Sequence, residues 1–132
     1  MDYQIIEGAE HIDLDAVMRL LKMTYWACNR SREQVETAMA HSDCYGVRVD
    51  GQIVGFARVI TDRATTFYLA DVIIDEAYRG HGLGKALVGH ILSRPAYDGL
   101  RGLLLTQTAH GLYAKYGFEV VENRAMTRSR KD

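Results

Sequence analysis

Apolar positions recur at two different periods along the 132-residue chain, and the switches between those periods mark out its elements. Tyr3 to Ile6 predicts a short first strand. Asp13 is placed to cap a helix that carries Val17, Met18, Leu20 and Leu21 on one side. Ser31, with Gln34 three residues on, forms a capping-box pattern, after which Val35, Ala38 and Met39 mark one helical face. The period then drops to two. Val47-Arg48-Val49 alternates, Asp50-Gly51 is a favoured two-residue hairpin turn, and Ile53 to Ile60 returns as its partner strand. Thr66 to Asp75 predicts a further strand, and its Val72-Ile73-Ile74 run is apolar on both faces, as in a central strand.

Beyond a glycine-rich stretch, Leu83, Ala86, Leu87, His90 and Ile91 share one face of a helix that ends before Pro95. Gly102 to Thr106 predicts a short strand and Ala109 to Tyr116 a short helix, with Gly117 placed to end it in a left-handed conformation. Phe118 to Val121 and Arg124 to Arg128 have the composition of two last strands. The order is β-α-α-β-β-β-α-β-α-β-β. It predicts an α/β (α+β) fold: a mixed, mostly antiparallel sheet of six to seven strands flanked by about four helices. Pro95 is the single proline and no Gly/Ser-rich linker interrupts the chain, so residues 1–132 are expected to form one domain.

Composition narrows the partners. With 48% hydrophobic and 25% charged residues the balance is that of a globular protein. Sixteen basic against seventeen acidic side chains leave no general basic face, so no nucleic acid is expected as a partner. The basic cluster Arg124, Arg128, Arg130 and Lys131 reads as a solvated terminus. Cys28 and Cys44 cannot build a disulfide framework, and neither they nor the five histidines show metal-ligand spacing; no metal is expected. Met1 to Glu10 has no apolar core and no apolar run approaches a membrane span, so the expectation is a cytoplasmic protein with no membrane attachment.

The chemistry concentrates in the segment from Ile73 to Lys85, where a strand enters the loop Arg79-Gly80-His81-Gly82-Leu83-Gly84 and the loop opens a helix. Glycines there remove Cβ atoms that would block approach to the backbone. First-turn N–H groups of a helix lack intrahelical acceptors, and the helix dipole adds positive potential, which suits a phosphate or pyrophosphate. A P-loop would need glycine where Arg79 stands and Ser or Thr where Ala86 stands. The dinucleotide fingerprint would need glycine at Lys85. The spacing that fits is R/Q-x-x-G-x-G/A, met by Arg79, Gly82 and Gly84.

On that loop and on Leu112-Tyr113-Ala114-Lys115-Tyr116-Gly117-Phe118, about thirty residues later, the sequence resembles the GNAT superfamily of N-acetyltransferases. The resemblance covers most of the chain. It implies an enzyme, a transferase that uses acetyl-CoA as cosubstrate and acetylates an amine, and it permits a homodimer. Two other readings stay open: a protein N-terminal or lysine acetyltransferase, and a non-catalytic acyl-CoA-binding sensor. The implied cofactor-binding residues are Val72 and Ile74 beside the pantetheine arm, and Arg79, Gly80, His81, Gly82, Leu83 and Gly84 around the pyrophosphate. Where many members carry Asn and Ala, six and three residues before the catalytic tyrosine, this chain has Gln107 and His110; Gln107 still offers an amide to the arm.

An alkylammonium of pKa about 10.4 is only on the order of one part in two thousand neutral at pH 7, so the reaction calls for a proton acceptor. The departing thiolate, of pKa about 8.5, is helped by an acid beside the sulfur. Tyr113 occupies the family's acid position; its alternative is a core aromatic. Asp71 is the candidate base, because burial in a central strand should raise its pKa; its alternative is a structural carboxylate. Tyr25, Trp26 and Arg30 cluster between the first two helices as candidate acceptor-binding residues, or as packing for that connection. Arg30, Arg32 and Arg58 could meet a substrate carboxylate.

Overall fold

A computed structural model of the chain describes residues 1–130 and gives a five-stranded sheet in the order β1-β2-β3-β4-β5. The strands are β1 (Gln4–Glu7), β2 (Asp43–Val49), β3 (Gln52–Thr61), β4 (Thr66–Ile74) and β5 (Arg101–Leu103). The helices are α1 (Leu14–Leu21), α2 (Arg32–Ala40), α3 (Leu83–Leu92) and α4 (His110–Ala114), with short 3-10 turns at Ala9–His11, Glu76–Tyr78 and Pro95–Tyr97.

Local chemistry sets most of these boundaries. The Asp13 side chain accepts from the Asp15 N–H at the start of α1, and Ser31 and Gln34 close a reciprocal capping box at the start of α2. Asp50 and Gly51 both take positive φ, 50° and 79°, as a hairpin turn matched to strand twist requires. Gly117, at φ 87°, ends the α4 turn while the Phe118 N–H reaches back to the Tyr113 carbonyl.

β1 to β4 pair antiparallel, whereas β5 runs parallel to the beginning of β4. Each face of the sheet carries its own core. Val47, Val54, Ala57, Val59, Phe67 and Leu69 pack under α3, α4 and the Pro95 turn. Ile53, Phe56 and Ile73 pack under α1 and α2 with Val17, Leu20 and Met39.

Two features of β4 position the site. First, the β4–β5 pairing covers only Thr66 to Tyr68; from Leu69 to Ile74 the strand is paired on its β3 side alone. Second, β4 carries a bulge. Phe56 faces Ile73 and Arg58 faces Ala70, so Asp71 and Val72 together oppose Ala57. Asp71 takes φ 56°, a left-handed value that Asp tolerates better than most residues. The extra residue reverses the facing of the rest of the strand: Val72 and Ile74 join the α3-side core and Ile73 joins the α1-side core.

The expected six to seven strands are corrected to five. Phe118–Val121 and Arg124–Arg128 are irregular, and β5 stops at Leu103 rather than Thr106. Phe118 packs against Phe67 and Tyr113, but Val120, Val121 and Met126 are exposed. A strand beyond β5 would meet no second apolar layer there, and β-propensity without packing does not hold an edge strand.

Candidate active site

β4 delivers the chain into the glycine loop, and Arg79 braces that junction by donating from Nε to the Ile74 carbonyl, 3.1 Å away. Arg79 therefore holds the loop's shape. Asp75 adds a second brace: it accepts from the Ala77 N–H and from Arg19 Nη1 (2.6 Å), while Arg19 Nη2 donates to the Ile53 carbonyl. The Ala77 N–H, followed by the Arg19 guanidinium, keeps the Asp75 carboxyl below the usual carboxylate range. Sequence reading missed Arg19 because its partners lie 34 and 56 residues away.

Gly80 and Gly82 sit at φ 87° and 78°, and a Cβ built on either would meet no protein atom within 4 Å. Open space lies over the backbone where a ligand could approach. Gly82 is the N-cap of α3 and has no side chain to satisfy the first turn. Among the described residues, no protein acceptor faces the N–H groups from Gly80 to Lys85; the first bond at this end runs from the Ala86 N–H to the Gly82 carbonyl. Six such N–H groups, Gly80 to Lys85, at the start of a ten-residue helix suit an anion. His81 and Lys85 are exposed beside them, and Leu83 is buried under the loop.

A cleft of about 360 Å³ connects this loop to the unpaired side of β4. Val72, Ile74, Gly80, Gly82 and Gly84 line it, and Trp26 forms part of its wall. The structure thus brings together the pantetheine-side residues, most of the loop and one acceptor-side residue. Tyr25 stands beside Trp26, their rings edge to face at 5.2 Å, and Tyr25 is largely exposed.

Asp71 lies behind Trp26. Its Oδ2 accepts from Arg58 Nε at 2.6 Å and from Arg30 Nη1 at 2.7 Å, and its Oδ1 accepts from Trp26 Nε1 at 3.3 Å. The expected rise in its pKa is corrected: burial pushes the carboxyl up, but hydrogen bonds and charge from Arg30 and Arg58 outweigh burial and hold it below the usual range. A carboxylate so held is a poor proton acceptor. The sequence shows an acid in an apolar strand and two arginines 41 and 13 residues away. Only the bulge and the loop after α1 bring them to one oxygen.

Tyr113 is buried in the same core that Val72 and Ile74 join, yet it lines a second, larger groove of about 880 Å³ with Thr106, His110 and β5. Burial pushes its hydroxyl pKa up, so it stays protonated through neutral pH. Gln107 is exposed between β5 and α4. Neither Tyr113 nor Gln107 lines the cleft beside the glycine loop. No group of His, Cys, Asp and Glu among the described residues could hold a metal ion, and no helix there is long and apolar enough to cross a membrane.

Residues 40–120 match the acetyltransferase (GNAT) domain family. A crystal structure of a protein assigned to the GNAT family, from Xanthomonas campestris pv. campestris, is 38% identical with a TM-score of 0.91, over 98% of this chain and 94% of that one. The [ribosomal protein bS18]-alanine N-acetyltransferase of Haemophilus influenzae is 36% identical over 81 residues, 57% of this chain and 53% of that protein, so the chain spans about half the length of that curated relative. N-acetylglutamate synthase from Neisseria gonorrhoeae, solved with coenzyme A and N-acetyl-glutamate, shares the fold: TM-score 0.74 at 21% identity, over 95% of this chain and 30% of that one. With more than half its length matched, the chain belongs to the GNAT family of acetyltransferases.

Proposed function

We propose that this enzyme transfers the acetyl group of acetyl-CoA to a primary amine of a small molecule, by direct attack while both substrates are bound. The observation that carries the reading is the row of N–H groups from Gly80 to Lys85 without protein acceptors, opening onto the unpaired side of β4. A pyrophosphate fits such donors, and an extended amide-bearing arm fits a strand with one free hydrogen-bonding side. When bound, acetyl-CoA supplies an activated acetyl thioester; the chain supplies position and proton control.

In this reading Gly80, His81, Gly82, Leu83 and Gly84 hold the pyrophosphate through their backbone, and Arg79 keeps the loop in shape. Val72 and Ile74 flank the arm, and Gln107 offers it an amide. Tyr113, kept protonated by burial, gives its proton to the departing thiolate. Asp71 is a positioning residue that fixes Arg30, Arg58 and Trp26. The ammonium proton leaves before the attack, through water at the exposed Tyr25–Trp26 mouth, and the nitrogen's second proton follows the same route once the new amide bond has formed.

A protein N-terminus is a second acceptor class, favoured by the likeness over residues shared with the bS18-alanine enzyme. Thiol release from acetyl-CoA, followed against a panel of small primary amines and a peptide with N-terminal alanine, separates the two. Turnover on small amines supports the proposal. Turnover on the peptide alone replaces it, and no release with either removes it.

A further inference from the structure

The cluster behind Trp26 is not electrically balanced. One carboxylate, Asp71, is shared by two guanidinium groups, Arg30 and Arg58, so the half-buried set carries a net positive charge. Arg58 spends a second N–H on Ser42 Oγ at 3.1 Å. Among the described residues, Arg30 Nε and Nη2 and Arg58 Nη2 donate to no protein group. Every fully buried side-chain nitrogen or oxygen described does have a partner, so these spare donors open to solvent. Other acids are committed elsewhere: Asp43 to Arg63, and Asp15 to Arg32. Tyr68, half-buried on β4, and the buried Cys44 thiol both feel the charges of Asp71 and Arg58.

Unbalanced charge held in a low-dielectric recess attracts a counter-charge, and planar guanidinium groups match carboxylates in shape as well as sign. We propose that Arg30 and Arg58, held by Asp71, bind a carboxylate of the acceptor, so the favoured acceptor is an amine that carries a carboxylate rather than a plain alkylamine or polyamine. Trp26 ties this recess to the cleft: its ring walls the cleft while its Nε1 donates to Asp71. An amino carboxylate anchored at the arginines therefore projects its other end past Trp26 toward β4. The inference rests on the acetyl-transfer reading for the word acceptor, but the anion site itself can be tested apart from turnover.

Trp26 is the single tryptophan of the chain, so its fluorescence reports on this recess and on the cleft it borders, which is why coenzyme A is held constant during the titration. The probes are straight-chain ω-amino carboxylates of three to six carbons and the amides of the same acids, titrated into the full chain with coenzyme A present. Expected is a saturable change in emission with at least one carboxylate, at least tenfold tighter than with its amide, the size of one charge-assisted hydrogen bond. Arg30→Gln should weaken that carboxylate tenfold or more, Arg30→Lys should restore part of the affinity, and Arg124→Gln, an exposed arginine of the C-terminal segment, should behave as wild type. Equal response to acid and amide, no saturable response, or wild-type affinity in Arg30→Gln would overturn the proposal. Thiol release over the same probes and the matching alkylamines separates the two readings. Release that ignores the carboxylate keeps acetyl transfer and removes this inference. Arg30-dependent binding without release on any amine keeps the anion site and removes small-amine acetylation.

Discussion

Replacing Asp71 with asparagine removes one charge and changes little else, which makes it the sharpest test of the cluster. Shape is retained, and asparagine accepts the left-handed φ of 56° at the bulge at least as well as aspartate. What is lost is the negative charge between Arg58, Arg30 and Trp26. Side-chain exposures of 3% for Asp71, 13% for Arg58 and 25% for Arg30 place the pairs well below the surface. Breaking a buried pair from one side costs about 3–5 kcal/mol, because the remaining charge stays desolvated. The amide still offers one oxygen to an arginine, so the expected loss at pH 7 lies at the lower end, about 3 kcal/mol. For a chain of this size that is roughly 10 °C in Tm.

The pH dependence carries the sign. The folded Asp71 pKa lies below its unfolded value, so its contribution is present above about pH 4 and is lost as pH falls through the folded pKa. Urea unfolding followed by far-UV circular dichroism, for wild type and D71N from pH 7 down to 3, should show two curves separated at neutral pH and converging below about pH 4. A carboxyl with a raised pKa, as a buried catalytic base would have, predicts the opposite sign: wild type less stable than D71N at pH 7 and gaining on it as pH falls. Stability of D71N within about 0.5 kcal/mol of wild type at pH 7, a margin ordinary surface substitutions show, would refute the clamp.

Three other measurements probe the remaining parts of the site. Tyr113→Phe should lower kcat at least tenfold with little change in KM for acetyl-CoA, the scale of a lost general acid; unchanged turnover at saturation removes Tyr113 from the chemistry. Gly82→Ala should cost about 1–2 kcal/mol of stability for a left-handed alanine. Its Cβ meets no protein atom, so a tenfold or greater loss of coenzyme A affinity by calorimetry would come from the ligand side, whereas unchanged affinity would move the pyrophosphate elsewhere. Cys44 is buried, its thiol pushed up to about 11 chiefly by burial, while Cys28 is half-buried. Alkylation at pH 8 should therefore modify one thiol readily and the second only in denaturant, read by mass spectrometry.

Sequence by itself determined whatever depends on neighbours a few residues apart. The capping box at Ser31 and Gln34, the Asp50-Gly51 turn, the glycine loop into α3 and the stop at Gly117 are all local, and each stands where its residues predict. Local rules also carried the shape of the glycine loop at the start of α3, because it is one loop and one helix end. Tertiary structure decided the rest. Phe118–Val121 and Arg124–Arg128 have acceptable strand composition, but without a second apolar layer beyond β5 they stay irregular. The bulge at Asp71 is invisible in composition, since a two-residue period continues through it. It nevertheless turns Val72 and Ile74 toward one core and Ile73 toward the other. Asp71 shows the difference most plainly. Sequence placed it in a buried strand, from which a raised pKa is expected by desolvation alone. Only the fold brings Arg30 and Arg58 to the same oxygen, and at 2.6 and 2.7 Å their charges outweigh the burial that sequence could foresee.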